Sequence, residues 1–124
     1  MSGLCLSAGA AAARLALEAF TLLWTHTVEK VEWREDWRVE PVGLVLVESR
    51  VLGSGAGMEP GPDARLEAGA WRFRPALPPL PELVLARGSG LEDWRLCDER
   101  GCRSLGALLA DAEGPVRLRP CPDP

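Results

Sequence analysis

The chain lacks the features that mark several common classes of protein. It has one histidine in 124 residues, and no apolar run approaches the ~20 residues that a membrane-spanning helix needs. The net charge is −4 and most basic residues neighbour acids, so the electrostatic footprint of a nucleic-acid binder is missing. No Gly-x-Ser-x-Gly elbow, internal repeat or low-complexity segment is present. A small globular domain of ordinary composition is therefore expected.

Turn-forming residues, in contrast, are abundant. The chain has 11 prolines and 13 glycines, which favour short strands over long helices. Residues 31–39 alternate strictly, with Trp33, Glu35 and Trp37 on one face, which is typical of a half-buried strand. We predict one mostly β domain over residues 1–124. The expected architecture is an antiparallel β-sandwich or small barrel of about nine short strands, with one short helix near the C-terminus.

The predicted elements follow from period-two alternation and the turn residues between them. The strand segments are 4–7, 20–26, 31–39, 44–51, 65–67, 70–74, 83–86, 94–97, 102–105 and 116–119. Residues 8–18 are ambiguous and are interpreted as strand or loop. The helix is predicted over 105–112, ended by Gly114 and Pro115.

The four cysteines form two candidate pairs. Cys97 and Cys102 flank a hairpin turn, where facing cysteines meet disulfide geometry. Cys5 and Cys121 form a second bond if the first and last strands are neighbours. Reduced thiols are the alternative, and a zinc site would need all four to converge with no histidine nearby.

Residues 4–13 are small and apolar, but this stretch is not the pattern of a cleaved signal peptide. No basic residue precedes it, and Arg14 interrupts it. We therefore expect no clear signal peptide in this sequence.

Several motifs together resemble one bacterial family. The motifs are Trp-Thr-His-Thr-Val-Glu-Lys at 24–30, Glu-Asp-Trp-Arg at 35–38, Gly-Ser-Gly-Ala-Gly-Met-Glu-Pro at 53–60, the proline-rich 77–83, the Cys97/Cys102 pair, and Leu-Arg-Pro-Cys at 118–121. With these residues the chain resembles domain-of-unknown-function family 1850 over nearly its whole length. Thr27 stands where the usual member has serine.

The resemblance implies a role but no reaction. Members of that family tend to be encoded beside tripartite ATP-independent periplasmic (TRAP) transporters of the TAXI type. A non-enzymatic accessory role in solute uptake follows, with the solute-binding protein, the permease or a small solute as partner. The implied location is the periplasm or the membrane exterior, and the cytoplasm is the alternative because no clear signal peptide is seen. We expect no cofactor, no metal and no nucleic acid.

A polar cluster is the candidate binding site. Histidine titrates near neutrality and donates, accepts or binds metal, so His26 is its most versatile member. The candidate ligand- or partner-binding residues are Thr25, His26, Glu29, Lys30, Glu35, Ser54, Met58 and Glu59. The structural alternative is that His26 caps a turn and the glycine-rich 53–57 is a wide turn, because prolines follow it where a phosphate loop needs a helix.

Glu35 raises a separate question because it lies between two tryptophans. A buried carboxylate there needs a cation, for which Lys30, Arg50 and Arg72 are the candidates. The alternative places Glu35 at the rim of a half-covered face. Two other classes of function stay open: a small hydrolase or isomerase that uses His26 with Glu29 or Glu35, and a disulfide-stapled structural module without a ligand.

Overall fold

The fold is built almost entirely from strands. The computed structural model describes residues 3–25, 32–52, 65–67, 70–74, 76–87 and 93–121, which hold eleven strands and one helix. The strands are β1 (Gly3–Ala8), β2 (Ala11–Leu15), β3 (Ala19–Thr25), β4 (Glu32–Glu40), β5 (Gly43–Leu52), β6 (Arg65–Glu67), β7 (Ala70–Phe73), β8 (Leu83–Leu85), β9 (Arg95–Asp98), β10 (Gly101–Ser104) and β11 (Val116–Cys121). The helix is α1 (Leu105–Leu108).

The strands form two antiparallel sheets. The four-stranded sheet has the order β2-β1-β11-β8, and the seven-stranded sheet has the order β10-β9-β3-β4-β5-β7-β6. Each sheet has two edge strands in the described part of the chain, so the arrangement is a sandwich and not a closed barrel. The predicted mostly β, antiparallel class is confirmed, and the ambiguous segment 8–18 contributes β2.

One hydrophobic core lies between the sheets. Leu4, Leu6 and Leu118 reach it from the four-stranded sheet and are at most 1% exposed. Phe20 and Trp37 reach it from the seven-stranded sheet, and their rings are nearly parallel with centroids 6.5 Å apart. Each fully buried leucine contributes about 1.5–3 kcal/mol relative to an exposed one, so the core holds the two sheets together. No helix among the described residues is long and apolar enough to span a membrane.

The β4–β5 hairpin is the longest pairing in the seven-stranded sheet. Its turn is Pro41–Val42, and the register shifts between Asp36 and Trp37, so that Asp36 faces Glu48 and Trp37 faces Leu46. This is a β-bulge with Val47 as the extra residue, and such bulges increase local twist. Gly43 follows the turn at φ 149°, where the backbone of Leu80 passes close by and bonds to Leu44.

The helix is shorter than expected. Alanine-rich 105–112 predicted about two turns, but α1 ends at Leu108. Ser104 caps it, with its hydroxyl accepting from the Ala107 amide at 3.1 Å. Ala110 and Asp111 have positive φ, of 52° and 61°, and a helix cannot continue through that conformation.

Both predicted disulfides are present. Cys97 and Cys102 are direct partners across β9 and β10, with Cα atoms 4.0 Å apart. Cys5 of β1 bonds to Cys121 of β11, with Cα atoms 5.7 Å apart, because β1 and β11 are adjacent. The second bond joins residues 116 positions apart in sequence.

Candidate functional site: a carboxyl on a tryptophan-rich face

On the inner face of the seven-stranded sheet, the carboxyl of Glu35 lies in the middle of a row of strand partners. It alternates with Trp33 and Trp37 along β4 and lies directly opposite Leu22 on β3 and Ser49 on β5. Leu22 is completely buried and Ser49 is 4% exposed, so the row around Glu35 belongs to the interior of the sandwich. We call Trp33, Glu35, Trp37 and Ser49 the Glu35 site.

The Glu35 carboxyl has little compensation for its burial. Its one hydrogen bond among the described residues comes from the indole Nε1 of Trp37, which donates to Oε1 at 3.4 Å. Burial raises the pKa of Glu35 above its ordinary value, and the indole hydrogen bond only partly opposes that rise. A carboxylate has about four acceptor positions, and the described residues fill one of them.

A tryptophan cluster continues the same face towards the end of β3. Trp24 is the direct partner of Trp33, with ring centroids 5.9 Å apart. Trp94 stacks on the other side of Trp24 at 5.5 Å, and its indole nitrogen donates to the Ala86 carbonyl at 3.2 Å. Aromatic surface beside one polar group is the usual composition of a small-molecule site.

The expected cation for Glu35 is not an arginine. Arg50 and Arg72 were candidates, and for both that prediction is wrong, because they lie on the outer face of the sheet. Arg50 donates to Asp36 at 2.9 Å, and Arg72 donates to Glu48 at 3.4 Å. Strand alternation is the reason, since Arg50 is paired with Arg34 while Glu35 is paired with Ser49.

The other predicted site residues divide into two groups. Thr25 ends β3 opposite Glu32, and alternation puts it on the outer face, away from Glu35. The remaining predicted residues lie outside the described part of the chain: His26, Glu29, Lys30, Ser54, Met58 and Glu59. Their convergence with Glu35 stays a prediction.

The chain segments that hold those residues connect to one end of the sheet. Thr25 precedes the first segment and Glu32 follows it, and these two residues are direct partners. Leu52, which precedes the second segment, is the next partner of Glu32 across the sheet. Thr25, Glu32 and Leu52 therefore form one row across the sheet, next to the Trp24–Trp33 pair, and both chain segments connect to this row.

Ser49 is the member of the site that the sequence pattern did not single out as a neighbour of Glu35. Counting back from the β4–β5 turn would place Glu48 opposite Glu35, and the bulge at Val47 shifts the register by one residue so that Ser49 lies there instead. Elsewhere in the described residues, no three His, Cys, Asp or Glu side chains are grouped as metal ligands would be.

Fold and site together define a class of protein: an antiparallel β-sandwich with two disulfides and a desolvated carboxyl on its inner face. A family model described as "Domain of unknown function (DUF1850)" matches residues 20–105, and the chain belongs to this family. The matched span holds β3 to β10, which include the whole seven-stranded sheet, whereas β1, β2 and β11 lie outside it. Comparison with curated proteins and comparison with solved structures each found no match.

Proposed function

We propose that this protein is a non-enzymatic accessory protein of a TAXI-type TRAP transporter and that it acts by binding through the Glu35 site. The observation that carries the proposal is the Glu35 carboxyl, which is partly desolvated among tryptophans and holds one long hydrogen bond from the described part of the chain. Partial burial of a carboxyl with so little hydrogen bonding among the described residues costs free energy, so Glu35 does not stabilise the fold from this position. Its retention is best explained by a bound partner.

Family membership supports the transporter assignment. The chain resembles proteins that tend to be encoded beside TAXI-type TRAP transporters, and the family match covers the sheet that holds Glu35. The two disulfides support a location outside the cytoplasmic membrane, since disulfides persist in oxidising compartments. The partner is the solute-binding protein, the permease or the transported solute.

The side chains of the Glu35 site indicate which chemical groups a ligand would need. A ligand with an N–H or O–H group supplies the hydrogen bonds that Glu35 lacks, and a cationic group supplies a charge. The tryptophan rings supply apolar contact area, and a cation also gains from the ring faces. Burial raises the pKa of Glu35 in the free protein. A ligand that donates hydrogen bonds or brings a positive charge stabilises the ionised carboxylate, so binding lowers this pKa again.

The proposal is tested by uptake and copurification. A strain that produces the neighbouring transporter is assayed for solute uptake with the wild-type chain, with Glu35→Ala and with Glu35→Gln. Glu40→Gln is the matched control, since it removes one charge from the same strand near its exposed end. We expect uptake and copurification with the transporter proteins to fall about tenfold or more in both Glu35 variants, because a hydrogen bond to a charged group contributes about 1.5–3 kcal/mol.

Two results would contradict the proposed function. If folded Glu35→Ala and His26→Ala both support uptake and copurify like the wild type, the binding site is not in this cluster. If the wild-type chain never copurifies with the transporter in mild detergent and its deletion leaves uptake unchanged, the accessory role itself is wrong.

A further inference from the structure

We propose that the outer face of the seven-stranded sheet binds an acidic segment of a partner polypeptide, with Arg34 and Arg95 as the anchoring pair. This face is opposite to the Glu35 site, and the inference does not depend on the transporter assignment. The evidence is a line of arginines that places like charges opposite each other on neighbouring strands and takes no part in the Glu35 site.

The strand register collects five arginines into one row. Leu23 of β3 pairs with Arg95 of β9 on one side and with Arg34 of β4 on the other. Arg34 pairs with Arg50 of β5, Arg50 with Arg72 of β7, and Arg72 with Arg65 of β6. We call the first four, Arg95, Arg34, Arg50 and Arg72, the arginine row. Four strand steps of ~4.8 Å make it roughly 19 Å long.

The arginine row is expected to destabilise the sheet. Like charges directly opposite each other on neighbouring strands are destabilising, and Arg34–Arg50 and Arg50–Arg72 are two such pairs in succession. Four of the chain's 14 basic residues lie in this line although the net charge is −4. Local violations of this kind are expected where a surface serves a function.

Two of the four arginines have donors to spare. Arg50 and Arg72 each donate to a carboxylate in the next row, Asp36 and Glu48 respectively. Arg34 and Arg95 instead approach the same oxygen, Glu32 Oε1, both at 3.6 Å, and neither guanidinium group donates a hydrogen bond to a described residue. Their side chains are 37% and 49% exposed, so their guanidinium groups are accessible to a ligand.

The aliphatic stems of this pair also have a packing role. Leu23 lies between them on the outer face and is nevertheless only 5% exposed. Its direct neighbours on both sides are Arg34 and Arg95, whose methylene groups are placed to cover it. The stems are thereby held in place, which orients the two guanidinium forks for bidentate contact with a carboxylate.

The flanking acids determine which anion fits. Glu32 lies on one side of the row, and Asp36 and Glu48 lie on the other. A bilayer surface or a nucleic-acid duplex spreads its negative charge over a wide area and would meet these acids as well. An extended acidic segment carries its carboxylates along a line, so it can follow the row and compete with one acid, Glu32, at the anchoring pair.

Binding of a labelled poly-L-glutamate peptide to the intact protein tests this inference. We expect wild-type binding that weakens with added salt and a rise in Kd of about tenfold or more in Arg34→Gln/Arg95→Gln, since two charge-assisted contacts are lost. Arg117→Gln/Arg119→Gln is the matched control. It removes the same charge from exposed positions of β11 on the other sheet and should leave the Kd within about twofold.

A second variant distinguishes the loss of a binding site from damage to the fold. Glu32→Gln removes the carboxylate that competes for both anchoring arginines, so it should tighten peptide binding, which a damaged fold cannot do. The inference is overturned if the peptide does not bind, if both arginine double variants weaken binding equally, or if Glu32→Gln weakens it. Tighter wild-type binding to oligothymidylate or to phosphatidylglycerol vesicles than to the peptide would overturn the choice of a polypeptide.

Discussion

At the scale of single residues, Glu35 and Gly43 are two positions whose local environment lowers the stability of the fold. Glu35 places a half-buried carboxyl on the inner face of the sheet, where its one hydrogen bond from a described residue is 3.4 Å long. Gly43 holds a backbone conformation, φ 149°, that side chains rarely adopt. Both lie on the β4–β5 hairpin, and each cost has a measurable consequence.

Replacing Glu35 with Gln should change how stability depends on pH. The folded-state pKa of Glu35 is raised above 4.5, so the folded protein binds this proton more tightly than the unfolded chain does. Wild-type stability therefore falls as the pH rises from 4.5 through the folded-state pKa. We expect Glu35→Gln to be more stable than the wild type at pH 7, with the difference vanishing below pH 4.5 in urea unfolding.

Glu40→Gln is the control for that experiment, because Glu40 pairs with Arg38 at the surface. It should show no comparable gain at pH 7. A Glu35→Gln variant that is less stable than the wild type at pH 7 would mean that the ionised carboxylate is well compensated, contrary to the geometry around it.

Replacing Gly43 with Ala should destabilise the protein by about 1–3 kcal/mol. An added Cβ would lie 2.6 Å from the Leu80 carbonyl oxygen, and that backbone is held by two hydrogen bonds to Leu44. Gly101→Ala is a close match, since Gly101 also follows a two-residue hairpin turn at positive φ but has no atom within 4 Å of the added Cβ. Chemical denaturation of the two variants should show the larger loss for Gly43, and equal losses would remove the Leu80 contact as the cause.

At the scale of elements, α1 depends on side chains outside the helix. The Asp93 carboxylate accepts from the Gly106 amide at 2.8 Å and lies 3.1 Å from Arg87 Nε. Arg87 in turn donates to the Ala112 carbonyl at 3.0 Å. These contacts hold both the first turn of α1 and the chain that leaves it, although α1 has only four residues.

Asp93→Ala should therefore cost about 1–3 kcal/mol, since it leaves an amide and a largely buried guanidinium without their acceptor. Thermal unfolding with hydrogen exchange at Gly106 and Ala107 checks both the size and the place of the loss. Glu82→Ala, which removes an exposed partner of Arg117, should cost less than about 1 kcal/mol. Similar losses in the two variants would contradict a special role for Asp93.

The elements also show what the sequence can and cannot predict. Alternation over 31–39 and the turn at Pro41 were enough to predict the β4–β5 hairpin, because both signals are local. The helix was predicted too long, because the alanines and leucines of 105–112 favour helix while Ala110 and Asp111 adopt positive φ, which no local sequence signal indicated. The arginine row was not predictable, because it depends on the pairing of five strands and on a bulge at Val47.

At the scale of the whole molecule, the two disulfides constrain the chain to very different extents. Cys97–Cys102 closes a hairpin that its own turn already holds. Cys5–Cys121 ties together residues 116 positions apart. In the chain-entropy description the stabilisation grows with the enclosed loop, so the longer bond should dominate.

Two double variants measure this difference. Cys5→Ser/Cys121→Ser should lower the free energy of unfolding by about 4–5 kcal/mol, and Cys97→Ser/Cys102→Ser by about 2 kcal/mol. Denaturant midpoints of the oxidised proteins give the comparison, with thiol counting to establish that the remaining bond is intact. A larger loss from the hairpin bond would show that strand pairing, and not loop closure, sets its contribution.

The pairing of β1 with β11 has a consequence for the order in which the molecule assembles. β3, β4 and β5 meet through connections between successive strands, and β9 meets β10 through a two-residue turn, so these contacts form between near neighbours in sequence. β1 pairs locally with β2, but its other neighbour is β11, and the Cys5–Cys121 bond between them joins residues 116 positions apart. Contacts between distant residues close slowly. We therefore expect the four-stranded sheet to be completed after the β4–β5 hairpin has formed, so that Phe20 and Trp37 on the seven-stranded sheet gain their full cover late in folding.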